Sequence, residues 1–144
     1  MQRGRRIAFD YGDVRIGVAV CDPDGILSSP VATLKATDKK LNEAILSLIS
    51  EYEPVHIYVG KPAHLNGDAS QSSINATNFA DFLRTLTDVP IAMVDERLST
   101  VTATKQMQSN GVNAKQARST IDQVAAVSIL NFALEIEKNR DSTK

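Results

Sequence analysis

The chain has one cysteine, no tryptophan and only 5% aromatic residues among its 144. A single thiol, Cys21, cannot close an internal disulfide, so stability rests on the core that a chain of this length, 42% hydrophobic, can bury. No apolar run reaches membrane-spanning length, and the opening "MQRGRRIAFDYG" lacks the apolar stretch of a secretory leader. These absences fit a cytoplasmic protein with no membrane partner. With so few aromatics there is no evident stacking platform for single-stranded bases. Sixteen Lys and Arg against 17 Asp and Glu leave a formal net charge of -1, which excludes binding of nucleic acid by bulk attraction. A polyanion would have to meet a concentrated site. Repeats, low-complexity tracts and linkers are also lacking, so residues 1–144 read as one domain with a core over about 5–137 and a tail, "RDSTK", expected to fray.

Short apolar runs at 6–10 and 15–21, joined by "YGDV", predict an antiparallel hairpin. "DPDG" at 22–25 is a second turn, and "ILSSPVATL" a third strand; Pro30 inside it predicts a sheet edge, because proline donates nothing to a ladder. The period then changes. Leu41, Ala44, Ile45, Leu48, Ile49 and Tyr52 follow helical spacing, with Thr37 or Asp38 as the expected N-cap and Pro54 past the end. "VHIYVG" and "IAMVDE" read as buried strands separated by a helix carrying Phe79, Phe82, Leu83 and Leu86 on one face. A capped helix is expected from Ser99, with Gly111 punctuating it, then a loop "SNGVNAKQARST" and a long apolar helix from Ile121. The predicted order is β-β-β-α-β-α-β-α-α. It describes an α/β fold in which an antiparallel three-strand meander and two parallel strands make a mixed five-stranded sheet flanked by helices.

In such sheets functional groups gather at the carboxyl ends of parallel strands. Asp10 closes the first strand, and Asp95 and Glu96 close the last. Strands lie about 4.8 Å apart, so side chains and an ion can bridge two of them. Successive strand residues face opposite sides, so only one of Asp95 and Glu96 can point with Asp10; alternation alone does not say which, and the other is a structural partner for a base such as Arg97. Asp122 lies in the expected first turn of the last helix, where two alanines one turn on would let the helix lie close to the sheet. Each acid has a simpler explanation: a turn residue for Asp10, a solvated strand end for "DE", a macrodipole partner for Asp122. Together they would repel unless a cation sat among them. A carboxylate set without a histidine or cysteine cage suits Mg²⁺ or Mn²⁺, and two such ions about 3.5–4 Å apart are an apparatus for phosphodiester hydrolysis.

Four stretches, "DYGDVRIGVAVCD" at 10–22, "VGKPAHLNG" at 59–67, "DERLST" at 95–100 and "KQARSTIDQVAAVSIL" at 115–130, together resemble the YqgF (RuvX) family over residues 5–137. The resemblance implies an RNase H-like fold and a metal-dependent nuclease that trims the 5′ end of precursor 16S rRNA in ribosome maturation. Family members have also been proposed as Holliday-junction resolvases acting on branched DNA, by analogy with RuvC. It further implies that Asp10, Glu96 and Asp122 are the catalytic metal ligands; the choice of Glu96 over Asp95 comes from the resemblance. Arg15 and Arg97 look like the family's arginines and could hold phosphate bidentately, with an internal ion pair as the competing role. Lys115 and Arg118, ahead of the last helix, are further substrate contacts, with a solvated loop as the competing role. Lys61 departs from the family pattern, which has an apolar residue there. Gly12 and Gly17 are explained by hairpin backbone demands. A homodimer is compatible with all of this.

Two other classes compete. The opening hairpin also resembles the phosphate-binding hairpin of actin-like ATPases, but those enclose ATP between two such domains. A ribosome-assembly or junction-binding module could retain the acids for folding alone.

Overall fold

The computed structural model describes residues 2–12, 14–61, 71–95 and 114–142, without the side chains of 71–72, 114–122 and 141–142. Strands β1 (Arg6–Tyr11), β2 (Arg15–Cys21) and β3 (Ser28–Lys35) precede helix α1 (Leu41–Tyr52). Strand β4 (His56–Lys61), helix α2 (Gln71–Leu86), strand β5 (Ile91–Asp95) and helix α3 (Ala114–Ser142) follow. The five strands form one sheet in the order β3-β2-β1-β4-β5. Pairs β1–β2 and β2–β3 are antiparallel, and β1–β4 and β4–β5 parallel, as the run of strands and crossovers predicts. The helix expected from Ser99 and the loop after β4 lie outside the described residues.

Alternation divides the sheet into two faces. Ile7, Phe9, Ile16, Val18, Val20, Ile57 and Val59 pack with Ile45 of α1 and with Phe79 and Leu83 of α2. On the other face Ala8, Ala19, Cys21, Tyr58 and Val94 meet Ala125, Ala126, Ile129, Leu130 and Ala133 of α3. Burying each large aliphatic side chain contributes about 1.5–3 kcal/mol, so the two clusters hold the three layers together.

Three expectations are corrected. Helix α1 has Lys40 as N-cap with no side-chain bond, while Asp38 serves the turn before it, its Oδ1 accepting the Lys40 N–H at 2.9 Å. Helix α3 starts at Ala114, within the expected loop, because "AKQAR" is built of strong helix formers and no glycine or proline follows to stop them. It also runs on to Ser142, into the stretch expected to fray. Pro30 does lie on an edge strand. Val18 pairs with Ala32 but Ala19 with Pro30, so Val31 is an extra residue bulged out of β3.

At the end of the sheet away from Asp10, Arg6 is fully buried. Its Nε and Nη2 donate to the two Glu137 oxygens at 3.2 and 3.1 Å, tying β1 to the last turns of α3. Tyr58 donates its hydroxyl to Glu137 Oε2 at 2.7 Å. Burial, reinforced by that acceptor, pushes the Tyr58 pKa well above its ordinary value. The backbone N–H of Arg6 donates to Cys21 Sγ at 3.2 Å, and burial pushes the Cys21 thiol up, so this cysteine is a packing residue.

Glu137→Ala leaves the Arg6 guanidinium buried without its counter-charge and is expected to cost about 3–5 kcal/mol, read from urea unfolding. Tyr58 in the unfolded chain ionises near pH 10 while the folded state keeps its proton. The tyrosine's contribution to stability is therefore intact below about pH 10 and falls as pH rises through that range. Tyr58→Phe should flatten this alkaline decline in the urea midpoint, while costing about 1.5–3 kcal/mol at neutral pH for the lost hydrogen bond to the Glu137 carboxylate, which Arg6 still holds.

Candidate functional site

Strands β1, β4 and β5 are parallel neighbours, so their carboxyl ends share one edge of the sheet. Asp10 sits there on the central strand, on the α3 face beside Ala8, and is only 2% exposed. Its antiparallel partner is Gly17. On the other side Phe9 pairs with Val59, so Gly60 follows next to Asp10. A glycine on either flank means that neither adjacent strand raises a side chain beside the carboxylate.

Arg15, two residues before Gly17 on β2, shares the Asp10 face by alternation. That is the diagonal cross-strand position, about 7–8 Å away and within reach of a long side chain. Arg15 is half-buried and already takes part in an interaction of the fold. Gly12 shapes the hairpin between them: a Cβ there would stand 2.7 Å from the Arg15 carbonyl oxygen, closer than a side-chain carbon can come to backbone.

Helix α3 reaches the same level. Gln123 Nε2 donates to Thr33 Oγ1 at 2.9 Å. Thr33 pairs with Gly17, and Gly17 with Asp10, so this bond places the helix over the row of residues that contains Asp10. Nothing in sequence reasoning pointed to Gln123; its one signal was a lone amide at the edge of an apolar stretch. Asp122 precedes it, eight residues past Ala114 (122 − 114) and therefore in the third turn. The macrodipole acts within the first turn, so it does not account for an acid at 122.

The remaining predicted residues divide as follows. Glu96 and Arg97 lie outside the described residues, and for Asp122, Lys115 and Arg118 only the backbone is described. Lys115 and Arg118 fall within α3, not in the loop expected before it. Among the described residues no three His, Cys, Asp or Glu side chains form a metal-sized group. Asp95 stands in register with Lys61, and Ile91 and Met93 of its strand pack on the α1–α2 side. Alternation therefore gives Asp95 the face opposite to Asp10.

Gly12→Ala forces a Cβ against backbone and should shift the hairpin that carries Asp10 and Arg15, at a cost of about 1–3 kcal/mol in urea unfolding.

Residues 4–136 match the family profile described as "RuvX: Holliday junction resolvase". A Streptomyces avermitilis protein named "Putative pre-16S rRNA nuclease" is 46% identical over 140 residues, covering 96% of this chain and 90% of its own. A Corynebacterium jeikeium protein of the same name is 45% identical over 138 residues, covering 94% and 89%. Among solved structures, Thermus thermophilus RuvC in complex with a Holliday junction substrate superposes with a TM-score of 0.55 at 13% identity, over 93% of this chain and 96% of that one. A second structure of Thermus thermophilus RuvC gives 0.50 at 14% identity, over 94% and 96%. Those likenesses establish the fold as that of RuvC, an RNase H-like α/β architecture. With relatives this similar along nearly their whole length and a profile that spans both the β1–β2 hairpin and most of α3, the chain belongs to the RuvX family.

Proposed function

We propose that this protein is a divalent-metal-dependent nuclease that hydrolyses phosphodiester bonds, and that its substrate is the 5′ end of precursor 16S rRNA in the bacterial cytoplasm. The observation that carries the reading is Asp10: a buried carboxylate at the carboxyl end of the central strand, flanked by glycines, with Arg15 on the same face. The name borne by relatives 45–46% identical over almost the whole chain supports the rRNA substrate. No helix among the described residues is long and apolar enough to cross a membrane.

Two periodicities support the other ligands. Within β5, Ala92 and Val94 pack on the α3 side, the face of Asp10, and Glu96 follows them in the sequence at the same two-residue spacing. In α3, Ala125, Ala126 and Ile129 are buried against the sheet, and position 122 stands on the same stripe at spacings of 3, 4 and 7 residues. Asp10, Glu96 and Asp122 would then hold two Mg²⁺ or Mn²⁺ ions, oxygen donors alone suiting these hard cations. Ions bound there supply the charge that makes water nucleophilic at neutral pH and steadies the leaving oxygen. Arg15 and Arg97 orient the phosphate for in-line attack, and Lys115 and Arg118, on the first turns of α3, contact the flanking backbone.

A second reading, cleavage of branched DNA, is favoured by the description of the family profile. One assay separates them. Purified protein is incubated with precursor rRNA and with a four-way DNA junction, each with Mg²⁺, with Mn²⁺ and with chelator. Cleavage of the RNA that chelator abolishes is expected. Asp10→Asn should reduce it by about a hundredfold or more, because several kcal/mol of charge stabilisation is lost at 1.36 kcal/mol per tenfold. Undiminished cleavage by a correctly folded Asp10→Asn variant would overturn the assignment.

A further inference from the structure

On the opposite face of the sheet, directly behind Asp10, lies a cavity of about 400 Å³ between α1 and α2. We propose that it holds one unpaired base of the nucleic-acid substrate, next to the phosphate under attack; this rests on the nuclease reading above. Its walls are Tyr11, Asn75, Asn78, Phe79 and Phe82, with the Ala36–Leu41 connection closing one side. Tyr11 follows Asp10 in the chain, and alternation sends the two side chains to opposite faces of the same strand end. A nucleotide bent over this edge therefore passes from the carboxylate to the cavity within one residue's width of protein.

The lining suits a nucleobase. Tyr11 stacks on Phe79 with ring centroids 4.9 Å apart and planes 27° from parallel, and Phe79 lies 6.3 Å from Phe82. Phe79 is itself held edge-on by Phe9 of β1 at 5.5 Å, so the aromatic wall is braced by the core. Asn75, Asn78, Phe79 and Phe82 follow the spacing i, i+3, i+4, i+7 and form one stripe of α2. Asparagine is a poor residue for a helix interior, where its side chain competes with the backbone, and two on one stripe facing a cavity are better explained by recognition than by folding. Asn75 already takes part in an interaction of the fold, whereas Asn78 is exposed at the mouth. Its amide offers a donor and an acceptor side by side, the pattern that matches a base edge.

Two cations stand beside the cavity: Lys39 and Lys40 are exposed on the connection between its Ala36 and Leu41 walls, while Lys35, in register with Arg15, belongs to the Asp10 face. Asp38 and Glu43 are also there, but Asp38 accepts the Lys40 N–H through its carboxylate and so serves the turn. That turn is fixed by further bonds: Ala36 N–H donates to the Val14 carbonyl at 2.9 Å, and Asp38 and Leu41 N–H each close a turn at 3.1 Å. Lysines on a hydrogen-bonded turn beside an aromatic and amide recess fit phosphate and base together. Only an unpaired nucleotide can supply both, since a stacked duplex keeps its bases inside.

The test is made without metal, so that binding is read apart from cleavage. Metal-free protein in chelator is titrated with a fluorescent single-stranded RNA and a series in which each position in turn is abasic. One abasic position is expected to weaken binding by about tenfold, the loss of one stacked base. In Asn78→Ala, which replaces an exposed residue by a better helix former, that penalty should shrink while overall folding is unchanged by circular dichroism. Lys39→Ala with Lys40→Ala should weaken all members of the series alike and lower the salt slope by about two. A flat abasic profile, no measurable binding, or an Asn78→Ala variant with the full penalty overturns the proposal. Because Asp10→Asn is judged by cleavage and this series by affinity, either idea can fail while the other stands.

Discussion

Helix α3 lies flush on the sheet, and it does so through small side chains. Ala8 and Ala19 on the strands face Ala125, Ala126 and Ala133 on the helix, all of them buried. A larger residue at any of these positions would lift the helix and everything it carries. The contact is fixed at both ends by polar bonds: Gln123 to Thr33 near the carboxyl edge, and Glu137 to Arg6 and Tyr58 at the far end. Apolar packing supplies the attraction, and the two polar ties fix the helix's register along the sheet. Buried polar groups of this kind are costly unless every member is paired, which makes them good determinants of position.

The charge distribution follows from the same layout. A net charge of -1 conceals a carboxyl edge where one buried acid stands on the central strand while Arg15, Lys35, Lys39 and Lys40 occupy the β2–β3 side. An anionic chain would be attracted to those bases and repelled by the carboxylate. Asp95 closes β5 at the neighbouring strand end. Its register with Lys61 gives an acid and a base side by side at the ends of β4 and β5, on the α1–α2 side.

Much of the fold was legible because its signals are local. Alternating apolar runs set the five strands, Pro30 marked an edge, and the change from period two to helical spacing marked α1 and α2. The start of α3 was misplaced because "AKQARST" is polar, and polar residues without an apolar stripe read as a loop even where their helix propensity is high. At the site, Asp10 could be read from its place at a strand end, and the separation of Asp95 from its neighbour followed from alternation. What sequence could not show depends on contacts between distant segments. Tyr11 had no assignment until β1 and α2 came together, where Phe9, Tyr11, Phe79 and Phe82 gather in one place. Gln123, Arg6 and Glu137 gave no sign of partners 90 and 131 residues away.

Strand β3 has a consequence for how molecules of this protein meet one another. An open sheet margin is a template on which a second chain can add its own strand, and long regular margins invite fibres. Here Pro30 supplies no amide hydrogen, and the displaced Val31 twists the margin out of plane, so the row of backbone groups is interrupted midway. The opposite margin, β5, is only five residues long. Neither border offers a long flat seam, and crowding at high concentration should therefore leave the sheets unjoined.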